Sequence, residues 1–125
     1  MNIYITCPVR GITKEEVTFL KEYVTSLENE GHEVHYPPRD TPQDDPHGMK
    51  ICLNNREAII WADEIHIFWN PNSQGSKFDF GMIFALDKLV MLINRSDIKP
   101  TKYKSFENVL IELDDTYRTK KAEGE

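Results

Sequence analysis

Four short apolar runs, each followed by a segment with helical apolar spacing, constrain this chain more than any other feature. Residues 2–7 alternate Ile3, Ile5 and Cys7 against Tyr4 and Thr6, a strand pattern that Pro8 and Gly11 break. Thr13 and Glu16 spell a capping box, Val17, Leu20, Val24 and Leu27 follow at helical spacing, and Gly31 supplies a stop. Residues 32–36 predict a second strand. Residues 37–46, rich in Pro and Asp, predict a long loop, and loops of that length in compact domains are often functional. Asp45 and Pro46 have the form of an N-cap and first helical residue, opening a helix that runs to about residue 62. Residues 64–69 predict a strand, residues 76–86 a helix opened by Ser76, and residues 88–94 a further strand. Phe106, Val109, Leu110, Leu113 and Tyr117 predict a last helix, although FENVLIEL also fits a strand.

The order β-α-β-α-β-α-β-α implies an α/β fold: an open parallel sheet with helices on both faces, of flavodoxin or Rossmann type. A chain of 125 residues holds one such domain, expected over residues 1–119 with a frayed tail over 120–125. No apolar run exceeds five residues, too short to span a bilayer. The start, MNIYIT, has no signal-peptide pattern, and Cys7 and Cys52 sit in apolar patterns as reduced thiols do. A cytoplasmic protein is expected. The net charge of −6, from 15 basic and 21 acidic residues, argues against a nucleic-acid surface while leaving room for a small anion in a locally positive pocket.

In such sheets ligands bind beyond the carboxyl ends of the strands. The sequence places Pro8-Val9-Arg10-Gly11 and Asn72-Ser73-Gln74-Gly75-Ser76 there. Arg10 and Gly11 suit an anion, with a guanidinium on one side and backbone amides on the other; an exposed turn is the alternative. The second loop is neither a Walker loop nor a G-x-G-x-x-G. Asp79 follows Ser76 by three residues, so it reads either as the acid of a capping box or as a nucleophilic carboxylate kept ionised by the helix dipole. Asn55 falls in the middle of an apolar arc of about 120° formed by Ile51, Cys52, Ala58, Ile59 and Ala62. A buried amide there either bonds a neighbouring backbone group or faces a wet pocket. His32 and His35 point to opposite faces of a strand and make no metal pair. Asp44, Asp45 and His47 read as a solvated loop, and Trp61 and Trp69 as packing residues. No metal site and no cofactor are implied.

Taken together, these segments resemble the nucleoside 2-deoxyribosyltransferase family, and most closely its hydrolytic branch, the 2′-deoxynucleoside 5′-monophosphate N-glycosidases. The resemblance covers residues 2–94. IYITCPVRG is similar to the family's strand ending in an Arg-Gly phosphate loop; NREAIIWADEIHIF resembles its helix that carries an acid and ends in Ala-Asp; NSQGSKFDFGMIFAL resembles its Ser-x-Gly segment before the catalytic acid. The resemblance implies that Asp79 is the nucleophile at the anomeric carbon and that Asn55 stands where the family has a second acid. It implies that Arg10, Gly11, Ser73 and Gly75 contact a 5′-phosphate, and that Tyr4 lines the sugar pocket. It also implies a nucleotide or nucleoside as the small-molecule partner, and a homodimer or tetramer. Two positions depart from the family. The nucleophile is Asp in place of Glu, one methylene shorter, and Asn55 cannot deliver a proton. The sequence therefore leaves three readings open: hydrolysis of the N-glycosidic bond, deoxyribosyl transfer, and nucleotide binding without turnover.

Overall fold

The computed structural model describes residues 1–124. Strands β1 (Asn2–Thr6), β2 (Glu33–His35), β3 (Glu64–Ile67) and β4 (Leu89–Leu92) form one parallel sheet in the order β2-β1-β3-β4. Around it lie α1 (Lys14–Asn29), a single turn α2 (Pro37–Asp40), α3 (Met49–Trp61), α4 (Gln74–Ala85) and α5 (Phe106–Ala122). This is the open α/β sheet that the alternating pattern predicts.

Both faces of the sheet are covered, so β1 is buried from Ile3 to Thr6, as parallel strands are. Ile3 and Ile5 pack with Leu20 and Val24 of α1. Tyr4, one step out of phase, packs with Ala58 and Ile59 of α3 and Phe80 and Ile83 of α4. Tyr23 of α1 meets the His66 ring on the first face, while α5 runs along the β4 edge, with Tyr117 against His66, Leu110 in the Tyr4 cluster and Asp114 accepting the Leu92 amide. Around His66 the polar groups satisfy one another: its Nε2 lies 2.9 Å from Glu64 Oε1, and Glu64 also accepts from Tyr117 and Lys121.

Helix starts differ from the expectations. The Thr13–Glu16 capping box forms with both of its hydrogen bonds. The helix expected from Pro46 instead begins at Met49, after Gly48 in the left-handed region at φ 88°. Asp45 still caps it, from outside, by accepting the Lys50 amide at 2.7 Å and the Ile51 amide at 3.3 Å. Its carboxylate is thus taken up by amides. Within the expected loop over 37–46, residues Pro37–Asp40 make a helical turn. Helix α4 is capped by Ser73, whose Oγ accepts the Ser76 amide, so it starts three residues earlier than a Ser76 cap would allow. The FENVLIEL segment is helical, and α5 continues to Ala122, past residue 120 where a tail was expected; Lys120 and Lys121 in its last turn complement the dipole. Trp69 is buried against Phe80 and Phe106, whereas Trp61 is 40% exposed on α3. Both thiols are free; Cys7 is buried and Cys52 half-buried.

The chain reverses direction across the sheet at β1. From β1 it steps to β2 on one side, then crosses to β3 on the other. Where strand order reverses, the loops leaving two adjacent strands splay apart and open a crevice at their carboxyl ends. Here that crevice lies between β1 and β3.

Candidate active site

Tyr4 stands on β1 below this crevice, and α4 runs from β3 across its side. The Tyr4 hydroxyl donates to Asp79 Oδ2 at 2.9 Å, joining residues 75 apart in sequence. Asp79 lies six residues into α4, not in its first turn. It is therefore no capping-box acid, and the helix dipole, which fades beyond the first turn, does little for its charge. Burial decides instead. Only 9% of Asp79 is exposed, and its carboxyl rises from the usual 3.8 to about 6, pushed up by desolvation and held back by the Tyr4 hydrogen bond. Desolvation, with the Asp79 charge beside it, pushes Tyr4 far above the ordinary phenol range, so it stays a hydrogen-bond donor. The same causes push the Cys7 thiol up to about 12, which makes it a poor nucleophile. Among the described residues, Asp79 Oδ1 has no hydrogen-bond partner.

A second polar chain reaches the dyad through aromatic stacking. The His35 ring lies parallel to Tyr4, with centroids 5.5 Å apart and planes 10° from parallel. His35 Nε2 is 2.8 Å from Thr41 Oγ1, and Thr41 Oγ1 is 2.7 Å from Asn55 Oδ1. Burial lowers the His35 pKa, which keeps the ring neutral. Asn55 is indeed on the buried side of α3. Its Oδ1 is taken by a side-chain hydroxyl rather than by the neighbouring backbone group that the sequence offers as one alternative. Asn55 Nδ2 has no partner among the described residues and is not sealed off from solvent.

The two loops carry the anion-binding features. Arg10 is exposed and makes no hydrogen bond or ion pair among the described residues, and Gly11 takes the left-handed conformation at φ 68°. Ser73 caps α4. The amides of Gln74 and Gly75 at its start have no partner among the described residues. Gly75 has an ordinary helical conformation, and a Cβ built on it meets nothing within 4 Å. The free chain gives no steric reason for glycine there, which fits a backbone left bare for something to approach.

Sequence reasoning missed Thr41, Thr6 and the stacking role of His35. Thr6 lies on the Tyr4 face of β1, fully buried, and its Oγ1 is the buried side-chain polar atom without a partner among the described residues. Alternation in β1 flags Thr6 as polar, but nothing in the sequence marks Thr41. A cleft of about 950 Å³ lies elsewhere, between the open edge of β2 and α3. Its lining includes His35, Arg39, Asn54, Ala58 and Trp61, and neither Tyr4 nor Asp79. It is a wide surface groove, whereas the buried Tyr4–Asp79 pair and its raised carboxyl lie where strand order reverses, which we take as the site.

No protein-family model matches the chain, and no curated protein matches it at a significant level. Solved structures do. A 2-deoxyribosyltransferase from Bacillus psychrosaccharolyticus is similar over 88% of this chain and 90% of its own, at 21% identity and a TM-score of 0.61. A CMP N-glycosidase from Clostridium botulinum is similar over 74% of this chain and 70% of its own, at 17% identity and a TM-score of 0.56. A conserved protein from Enterococcus faecalis V583 is similar over 93% and 87%, at 13% identity and a TM-score of 0.64. At these identities the likeness is one of fold, and the chain has the α/β fold found in a 2-deoxyribosyltransferase and a CMP N-glycosidase.

Proposed function

We propose that the chain hydrolyses the N-glycosidic bond of a nucleoside 5′-monophosphate, with Asp79 as the nucleophile. The observation that carries this reading is the Asp79–Tyr4 pair: a buried carboxylate with one oxygen held and the other free, at the crevice where strand order reverses. Tyr4 fixes the side chain so that Oδ1 is the oxygen left to attack C1′ of the sugar. The glycosyl ester is then opened by water with net retention, the double displacement of retaining glycosidases. Burial serves the step, because a poorly solvated carboxylate sheds little water on attack.

Arg10, Gly11, Ser73 and Gly75 support a phosphate subsite: a free guanidinium, a left-handed glycine, and unpaired amides at the start of α4. They favour a nucleotide over a free nucleoside, and hydrolysis over transfer to a second base. The resemblance of residues 2–94 to the nucleoside 2-deoxyribosyltransferase family, and the activities named for two of the structures that share the fold, support the same reading. Exposed Met49 and Leu53 on α3 and Phe78 and Phe84 on α4 support a homo-oligomer that covers these helices. Asn55 favours a second reading, nucleotide binding without turnover, because it cannot protonate a departing base. Incubation with deoxy- and ribonucleoside 5′-monophosphates, with free base measured by chromatography, separates the two. Release of base that Asp79→Asn abolishes supports hydrolysis; tight binding of a monophosphate with no release supports the second reading.

A further inference from the structure

We propose that a cleft between α1 and the α2 turn is a second ligand site, one that takes a small apolar molecule carrying a single carboxylate. The cleft has a volume of about 600 Å³, inside the range of about 300–1,000 Å³ that small-molecule sites occupy. It lies on the face of the sheet opposite the candidate active site. Its Val24 and Tyr36 belong to the cluster of Ile3 and Ile5, whereas Tyr4, which holds Asp79, belongs to the cluster on the other face. Neither Arg10 nor Asp79 lines it. The site therefore stands independently of the hydrolytic reading.

The walls are mostly apolar. Val17, Lys21 and Val24 recur at helical spacing and turn one stripe of α1 toward the cleft, while Val9 and Ile12 close it from the loop after β1. Val9 is 46% exposed, so this wall offers apolar surface that the free chain leaves uncovered and a bound apolar body would cover.

Two polar groups in the lining have nothing to bind. Tyr36 is 4% exposed, yet its hydroxyl makes no hydrogen bond among the described residues. It is not sealed off either, because among the described residues only Thr6 Oγ1 is both sealed and unpartnered. The hydroxyl therefore meets solvent, and the open space that Tyr36 lines is this cleft. Burial raises its pKa above the ordinary phenol value, so it stays a donor at neutral pH. Lys21 is engaged only through its backbone carbonyl, which accepts from Thr25 Oγ1 at 2.9 Å; its ammonium has no partner among the described residues. Arg39 also reaches the cleft, but its guanidinium is taken up by Glu28, Asp40 and the Val34 carbonyl, and both of those acids line the groove along β2 instead. In a chain of net charge −6, the cleft has cations in its lining and no carboxylate. One free ammonium and one hydroxyl match the single charge and two oxygens of a carboxylate; a phosphate dianion would keep charge and acceptors unmet.

Titration calorimetry with 3-phenylpropanoate and with 3-phenylpropan-1-ol, which has the same body and no charge, tests this. The wild type should bind one carboxylate per chain with a Kd below about 1 mM, and the alcohol at least about tenfold more weakly, the scale of one charge-assisted contact. Lys21→Met, which keeps an unbranched stem without the charge, should bring the two Kd values together. Tyr36→Phe should weaken the carboxylate several-fold. Thr25→Trp, at an exposed position of α1, adds an indole to the lining and should abolish binding with the Tm kept. Arg10→Ala and Asp79→Asn should leave the Kd of 3-phenylpropanoate unchanged, which separates this site from the candidate active site. No binding by the wild type up to about 10 mM, or equal Kd values for the acid and the alcohol, overturns the inference. Binding that survives in a folded Thr25→Trp overturns it too, as does binding lost in Arg10→Ala, which would put the carboxylate in the other site.

Discussion

Replacing Asp79 by Asn should make the protein more stable at pH 8 and leave it unchanged at pH 4. Asp79 is 9% exposed, and burial lifts its carboxyl from the usual 3.8 to about 6. A carboxyl raised in the folded state supports folding fully below its unfolded value, and that support is lost as pH rises through the folded one. Each pH unit between the two values corresponds to about 1.4 kcal/mol, so keeping Asp79 ionised above pH 6 costs the fold on the order of 3 kcal/mol. Asparagine keeps the shape and still accepts the Tyr4 hydroxyl, but has no charge to desolvate. For a domain of this size that gain corresponds to a rise of roughly 10 °C in Tm. Thermal melts of both proteins at half-unit steps from pH 4 to pH 8 measure the difference directly, and effects of other carboxyls cancel in it. The predicted gap is near zero at pH 4, opens between pH 4 and 6, and is flat above. A variant that is less stable at pH 8, or a gap that does not change with pH, would refute the claim that Asp79 is held at a cost to the fold.

Activity should follow the same carboxyl with the opposite sign. Only ionised Asp79 attacks, so kcat/KM should rise through about pH 6 and level off above, in a pH–rate profile. Arg10→Ala should weaken binding of a 5′-monophosphate by about 1.5–3 kcal/mol, the size of a charge-assisted contact, and barely touch the matching nucleoside in titration calorimetry. Inorganic phosphate should raise the Tm of the wild type and do so less for this variant. Gly75→Ala, which meets nothing within 4 Å in the free chain, should leave stability unchanged or raise it by up to about 1 kcal/mol while weakening the same monophosphate. Asp79→Glu restores the longer acid of the resembled family and should raise turnover if reach limits the wild type.

The fold was legible because its signals are periodic and redundant. Alternation in residues 2–7 and helical spacing from Val17 to Leu27 each span several side chains, so no one residue decides them. Helix starts were less so, because their signals are single residues with local rivals. Ser73 and Ser76 are both good caps three residues apart, and the backbone uses the first. Asp45 caps α3 from several residues upstream rather than from beside Pro46. The site divides the same way. Arg10, Asn55 and Asp79 stood out as polar residues at loop ends or on apolar faces. Thr41 did not, since its meaning lies in contacts to His35 and Asn55 that only the folded chain brings together. The ionisation of Asp79 was misread for a related reason: helix position assigned its charge to the dipole, and tertiary burial reversed the sign of the effect.

The most direct measurement of the central claim is the mass of the Asp79 side chain during turnover. A 2′-fluoroarabino nucleoside 5′-monophosphate slows hydrolysis of a glycosyl ester more than its formation. Protein quenched after incubation with it and digested should carry the fluorinated sugar phosphate on the peptide that contains Asp79, at one equivalent per chain, with free base released in the same amount. Asp79→Asn should carry none. Base release by the wild type with no adduct on that peptide, or an adduct on any other residue, would contradict the assignment of Asp79 as the nucleophile.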